Sequence, residues 1–325
     1  MAALPLLGLL PWQCSFAEEH QVHTTTKESE ISIEIVDEVK LPSSPNLPKT
    51  LEGRHYPIVP SNPNELAELL KDIEEALRNQ NTREEFLPFL AHQQQVIYRV
   101  LSRDIPRSEE VLAKMPKRWQ WVAERHLAAR REFLRMSNSR PAASSLPAWR
   151  VIPPEPANKL IAYYKKAEKA TGIAWEVLAA VNLVESGMGR IDGVSVANAQ
   201  GPMQFLPTTW AEAGIGQGNI LDPHDAIQAA ARYLVRRGGL ENIRKGLWGY
   251  NNSDYYGNAV LHYAELMKDD PNAYTGLYHW EIHFVTTAGD LWLPIGYEQQ
   301  QPIKVLDYLQ SAPVSAPPPT LSRVK

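Results

Sequence analysis

The chain carries two kinds of hydrophobic pattern. Between Asn62 and Met136 apolar positions return every three or four residues, most clearly in "NPNELAELLKDIEEALRNQ". There Asn62 stands as N-cap, Pro63 opens the first turn, and Leu66, Leu69, Leu70, Ile73 and Leu77 share one face. The spacing continues through "FLPFLAHQQQVIYRVLSR" and "WQWVAERHLAARREFLRM", so a helical module is expected over 62–136. Basic positions such as Arg130 and Arg131 read as a solvated helix face. The Pro- and Ser-rich stretch "SNSRPAASSLPAWRVIPPEP" then predicts a linker over 137–157.

Helical spacing returns over 158–268. "NKLIAYYKKAEKATG" stops at Gly172, and "IAWEVLAAVNLVES" is apolar enough to belong in a core. In "ILDPHDAIQAAARYLVRRGG" Asp222 is the N-cap and Gly238-Gly239 the stop, which explains the acidic pair Asp222 and Asp225 without chemistry. Trp175 and Tyr263 read as ordinary core residues. After Asp269 the period becomes two. "YHWEIHF" alternates Tyr278, Trp280, Ile282 and Phe284 with His279, Glu281 and His283, and "TAGD" before "LWLPIGY" predicts a hairpin over 269–310. On a strand the two histidines would stand about 13 Å apart, too far to share a metal ion, so a solvated strand face is expected. The fold class is therefore mainly α, with a small C-terminal β-hairpin.

The ends differ from the body. "MAALPLLGLLPWQCSFA" has an apolar run too short to span a bilayer and small residues before a cleavage position, which predicts a signal peptide over 1–17 and secretion to the cell envelope or beyond. Residues 18–61 mix charge, Ser, Thr and spaced prolines, with one alternating run "ISIEIVDEV", and are expected to form a flexible tether. "SAPVSAPPPTLSRVK", residues 311–325, reads as a Pro-rich disordered tail. Cys14 is the only cysteine, so neither a disulfide framework nor a thiolate metal site is expected. A formal net charge of -4 gives no basic footprint for nucleic acid.

Candidate chemistry centres on "AAVNLVESGMGR". Val177, Val181 and Glu185 share a helix face, Asn182 lies one turn before the glutamate, and Gly187 and Gly189 release the chain into a loop. A carboxyl at an apolar helix C-terminus meets both desolvation and the negative end of the helix dipole, and both raise its pKa from about 4.3. Such a group can serve as a general acid. The alternative is a glutamate turned outward at a frayed helix end. Further on, Gly201-Pro202-Met203-Gln204 and the cluster Trp248, Tyr250, Asn251, Tyr255 and Tyr256 offer the aromatic faces and amides that suit sugar rings.

Three ordered motifs make a resemblance specific. Glu185-Ser186, "GPMQ" at 201–204 and "GYN" at 249–251 resemble the Glu-Ser, Gly-Leu-Met-Gln and Ala-Tyr-Asn motifs of lytic transglycosylases with the soluble-type, goose-lysozyme-like catalytic domain. "GPMQFLPTTW" and "DPHDAI" also resemble the B-type lytic transglycosylases, but the short gap from Glu185 to Gln204 suits the soluble type better. The resemblance covers roughly 158–268 and departs from the pattern at Pro202 and Gly249. It implies a lysozyme-like helical domain in which Glu185 is the acid/base and Ser186, Met203, Gln204, Tyr250 and Asn251 contact or orient substrate. It also implies peptidoglycan glycan strands as the partner, no cofactor and no metal, and leaves cell-envelope protein partners open. The expected reaction is MurNAc–GlcNAc cleavage with 1,6-anhydro-MurNAc ends. Two alternatives stand: a lysozyme-type muramidase with Asp192 as second carboxylate, if Asp192 is not merely a turn residue beside Gly193, and a non-catalytic cell-wall binding protein.

Overall fold

A computed structural model describes residues 32–137 and 141–318. The signal segment expected at 1–17 lies outside them. The described residues open with an antiparallel hairpin, β1 (Ser32–Val36) and β2 (Val39–Ser43), turned by Asp37 and Glu38 at φ 47° and 71°. Two successive left-handed residues give the turn whose twist matches that of the strands. Val36, Val39 and Leu41 are buried, and farther on Tyr56 and Ile58 are buried as well. The tether expected over 18–61 is thus folded onto the body from Ser32 onward. Its composition is polar, but a few apolar side chains suffice where a core already exists to receive them.

Helix α1 (Pro63–Ala76) starts as the sequence indicates, with the Asn62 side chain accepting from the Asn64 amide. It is followed by α2 (Leu87–Leu101), α3 (Ile105–Lys114) and α4 (Lys117–Ser137). The segment expected to be a linker contributes two short strands, β3 (Ser145–Leu146) and β4 (Arg150–Val151), and buries Leu146, Trp149 and Val151. Next come α5 (Ala157–Thr171), α6 (Trp175–Ser186), β5 (Ile191–Asp192), α7 (Pro207–Trp210), α8 (Pro223–Arg236), α9 (Ile243–Asn251) and α10 (Asp254–Asp269). The C-terminal part holds α11 (Ala273–Tyr278), β6 (Ile282–Thr286), β7 (Gly289–Leu293), β8 (Ile303–Lys304) and α12 (Val305–Ser311).

One continuous apolar core runs from the N-terminal hairpin through α1–α4 into α5–α11. Helix α10 packs on α4 on one side and on α6 on the other, so the N-terminal helices are built into the body that holds Glu185. A second core is made by Leu146, Trp149, Val151, Ile282, Leu291, Leu293, Tyr297, Val305 and Tyr308. It forms because β3 pairs with β8, β4 with β5 and β6 with β7. The expected tail also packs in part: Ser315 is buried and its hydroxyl lies 3.2 Å from that of Tyr308. Residues 319–325 lie outside the described chain.

The strand expected from Tyr278 begins only at Ile282, because Tyr278 ends α11. Nor is its polar face solvated. The Glu281 and His283 side chains are buried, His283 Nε2 stands 3.0 Å from His92 Nε2 on α2, and Gln95 bonds both backbone groups of Glu281. A strand covered on both faces breaks the rule that alternation marks one wet side.

Candidate active site

Helix α6 places its acid through its C-terminal geometry. Gly187, at φ 61°, ends the helix, and the Gly187 and Met188 amides bond back to Leu183 and Asn182. This left-handed stop suits glycine. A Cβ at Gly187 would also fall 2.5 Å from Ile282 Cδ1, so the close approach of β6 depends on the missing side chain. Glu185, two residues before Gly187, is 8% exposed, and the Tyr256 hydroxyl donates to its Oε1 at 2.7 Å.

Burial pushes the Glu185 carboxyl up to about 8, and the Tyr256 hydrogen bond offsets part of that rise. Because Oε1 already accepts from the phenol, the acidic proton is left to Oε2. Tyr256 is itself fully buried on α10, its ring parallel to that of Tyr250 with centroids 6.3 Å apart. Its phenol is held well above its ordinary pKa by burial and by Glu185, so it remains a donor.

Of the residues named from the sequence, the motif loops converge on α6. Ser186 is wholly buried: its hydroxyl donates to the Pro202 carbonyl at 2.5 Å and accepts from the Gly189 amide at 3.0 Å. Asn182 adds a bond to the same Pro202 carbonyl at 2.8 Å, while its own oxygen accepts from Tyr164. Ser186 and Asn182 therefore lock the 201–204 loop onto the helix that carries Glu185. Since they use the backbone oxygen of Pro202, proline in place of leucine leaves the lock intact. Met203 is fully buried, and its carbonyl accepts from the Tyr250 hydroxyl at 2.8 Å. Asn251 ends α9 and is buried. The second departure also has a local cause: a Cβ at Gly249 would lie 2.8 Å from Arg237 Cβ.

Gln204 is the residue of this loop that borders open space. Its φ is 48°, its amide and Nε2 both donate to the Gly201 carbonyl, and its buried Oε1 has no partner among the described residues. Gly201 at φ 72° makes the tight turn, and any Cβ there would meet the Ile220 carbonyl at 2.1 Å.

Glu185 and Gln204 line a cavity of about 260 Å³. Its other side comes from α2, α4 and β6, including Arg99, Arg130, Phe133 and Phe284. Arg130, expected on a solvated face, faces this cavity instead, and Arg131 donates to the Ser108 hydroxyl at 2.6 Å. Among the described residues the one other carboxyl lining the cavity is Glu281, held by Arg54 and by the Trp292 indole at 3.2 Å. Asp192 does not line it: it sits on β5 and pairs with Arg150 on β4. The sequence indicates Tyr256 only as one of the aromatic cluster suited to sugar rings; its bond to Glu185 is not legible there.

Among the described residues one surface group, Asp222, His224 and Asp225, brings three potential metal ligands together. Its contacts are those of a helix start: Asp222 caps α8 by accepting from the Asp225 amide, and Asp225 accepts from the Asn219 amide. No described helix is long and apolar enough to cross a membrane.

The helices around this buried acid, the loop locked beneath it and the groove against it have a lysozyme-like, helical architecture. Residues 162–259 match the family model described as Transglycosylase SLT domain, and the chain carries a domain of that lytic transglycosylase family. Proteins with this domain act on peptidoglycan in the cell envelope, cleaving glycosidic bonds by transglycosylation. Comparison with curated proteins and with solved structures gave no match.

Proposed function

We propose that the protein cleaves the MurNAc–GlcNAc bond of peptidoglycan with Glu185 as sole acid/base, leaving 1,6-anhydro-MurNAc ends. The observation that carries this reading is the isolation of the Glu185 carboxyl: buried, raised to about 8, and bonded to a neutral phenol. At neutral pH it holds a proton on Oε2 and delivers it to the glycosidic oxygen as the bond to C1 breaks. The carboxylate so formed takes the proton of the muramic acid C6 hydroxyl as that oxygen attacks C1, which restores the acid. Tyr256 stabilises the transient anion. The free Gln204 Oε1 is placed to accept from a sugar amide or hydroxyl, while Ser186, Met203, Tyr250 and Asn251 position the loop and helix ends around it.

Hydrolysis would call for a second carboxylate that activates water or attacks the sugar. Glu281 is occupied by Arg54 and Trp292, and Asp192 by Arg150, so neither is free for that role. Secretion of the chain, with cleavage of its first residues, belongs to the same proposal, since the substrate lies in the envelope. The test is mass spectrometry of fragments released from purified peptidoglycan. Anhydro-muropeptides, one water lighter than hydrolysed ones, are expected. Reducing ends would replace this mechanism with a muramidase, and binding without release would leave a cell-wall binding protein.

A further inference from the structure

The N-terminal helices bring positive charge to the cavity that Glu185 lines. Arg99 and Arg130, from α2 and α4, and Arg103, just past the end of α2, all border it. Arg99 is engaged: its Nε and one terminal nitrogen donate to Asp290, one to each carboxylate oxygen. Arg130 differs. Its Nε is buried, and the side chain has no hydrogen bond or ion pair to any described residue. Burial, reinforced by the charges of Arg99 and Arg103, pushes it down to about 10, against the opposing pull of Tyr263 and Asp290. A guanidinium left in this state is stabilised by any anion that reaches it.

The local charges do not cancel. Three guanidinium groups face one carboxylate, Asp290, and the nearby Glu281 is matched by Arg54. Beside them Phe133, Leu134 and Met136 offer an apolar strip. The substrate class implied by the family carries carboxylates at each muramic acid, on the lactyl group when it is bare or on the peptide stem when it is substituted.

We propose that Arg130, with Arg103 beside it, forms a carboxylate-binding subsite in the Glu185 cavity, so that the N-terminal helices select anionic glycan over neutral glycan. The proposal rests on the peptidoglycan reading above and adds a recognition element outside residues 162–259. A planar fork of donors suits a carboxylate. Both carboxylate sources share that chemistry, and the ligands below separate them.

The experiment measures binding to full-length Glu185→Gln, which cannot turn substrate over. Four probes are compared: chitotetraose, a GlcNAc–MurNAc tetrasaccharide with free lactyl carboxyls, the same tetrasaccharide with those carboxyls as methylamides, and a peptide-bearing muropeptide. At least one anionic probe is expected to bind more tightly than the neutral pair, with a preference that shrinks as salt rises. Adding Arg130→Gln is expected to weaken that probe about tenfold and leave chitotetraose unchanged, while Arg130→Lys retains part of the preference. The probe that loses affinity names the source, lactyl or stem. Equal binding of charged and neutral probes, or equal loss on both in Arg130→Gln, overturns the subsite. Product analysis of the wild-type chain keeps the two readings apart: an anionic preference without anhydro products sinks the mechanism and leaves the subsite, and the converse does the reverse.

Discussion

Two buried carboxyls near the same cavity are held in opposite states. Glu185 on α6 has an apolar surround and one neutral partner, Tyr256, and burial raises it to about 8. Asp290 on β7 is largely buried, which alone would raise it, but the charge and hydrogen bonds of Arg99, with Arg130 and Arg103 nearby, hold it below its ordinary value. Burial alone therefore does not make an acid. What decides is whether the fold supplies a counter-charge, and around Glu185 it supplies none.

The sharpest way to break this contrast is to neutralise the acid. Glu185→Gln is expected to lower the rate of glycan cleavage by about 10⁴-fold, the upper range for a general acid, with binding kept. A rate within threefold of wild type would remove Glu185 from the chemistry. On the other side, Asp290→Ala leaves Arg99 buried without its partner and is expected to cost about 3–4 kcal/mol in urea unfolding. A cost below about 1 kcal/mol would show that the pair is solvated and the contrast false.

The pH dependence of stability separates the two sides by sign. Glu185 keeps its proton in the folded chain between its ordinary value, 4.5, and about 8, where the unfolded chain has lost it. Stability on its account falls as pH rises through that window, by up to roughly 3 kcal/mol at pH 7. Glu185→Gln should accordingly gain stability over wild type as pH rises from 4.5 to 8, read from paired unfolding curves. His92 and His283 act in the other direction: burial holds both well below 6.5, so the unfolded chain takes protons first and stability is lost as pH falls below 6.5. His92→Gln should flatten that acid limb.

The smallest effect sharpens the site itself. Tyr256→Phe removes the bond that offsets part of the rise at Glu185, so the alkaline limb of the rate profile should move to higher pH. The rate at neutral pH should fall about tenfold, because the transient carboxylate loses its donor. An unmoved limb would mean that Tyr256 only packs.

The sequence made the Glu185 side legible because its signals are local. Helix period, the Gly187 stop and three short motifs lie within about one hundred residues, and each has a physical reading of its own. The other side is assembled from distant segments. Arg99 meets Asp290, Gln95 meets Glu281 and His92 meets His283 only after the C-terminal hairpin folds against α2. No periodicity announces such pairs. The same long-range packing explains why Arg130 and the polar positions of "YHWEIHF" read as solvated, why 32–61 read as a tether, and why 137–157 read as a linker. The role of Tyr256, named only as part of an aromatic cluster, was hidden differently: it lies on a helix face where a core tyrosine and a partner of the acid have one and the same pattern.

The most direct measurement is the titration of the Glu185 side chain in the intact protein, followed by carboxyl ¹³C NMR with glutamate labelled and assigned by the signal missing from Glu185→Gln. A carboxyl that remains protonated at pH 7 and titrates near 8 is the expected result. Titration near 4.5 would show a solvated carboxylate, and with it the proton donor on which the whole account depends would be gone.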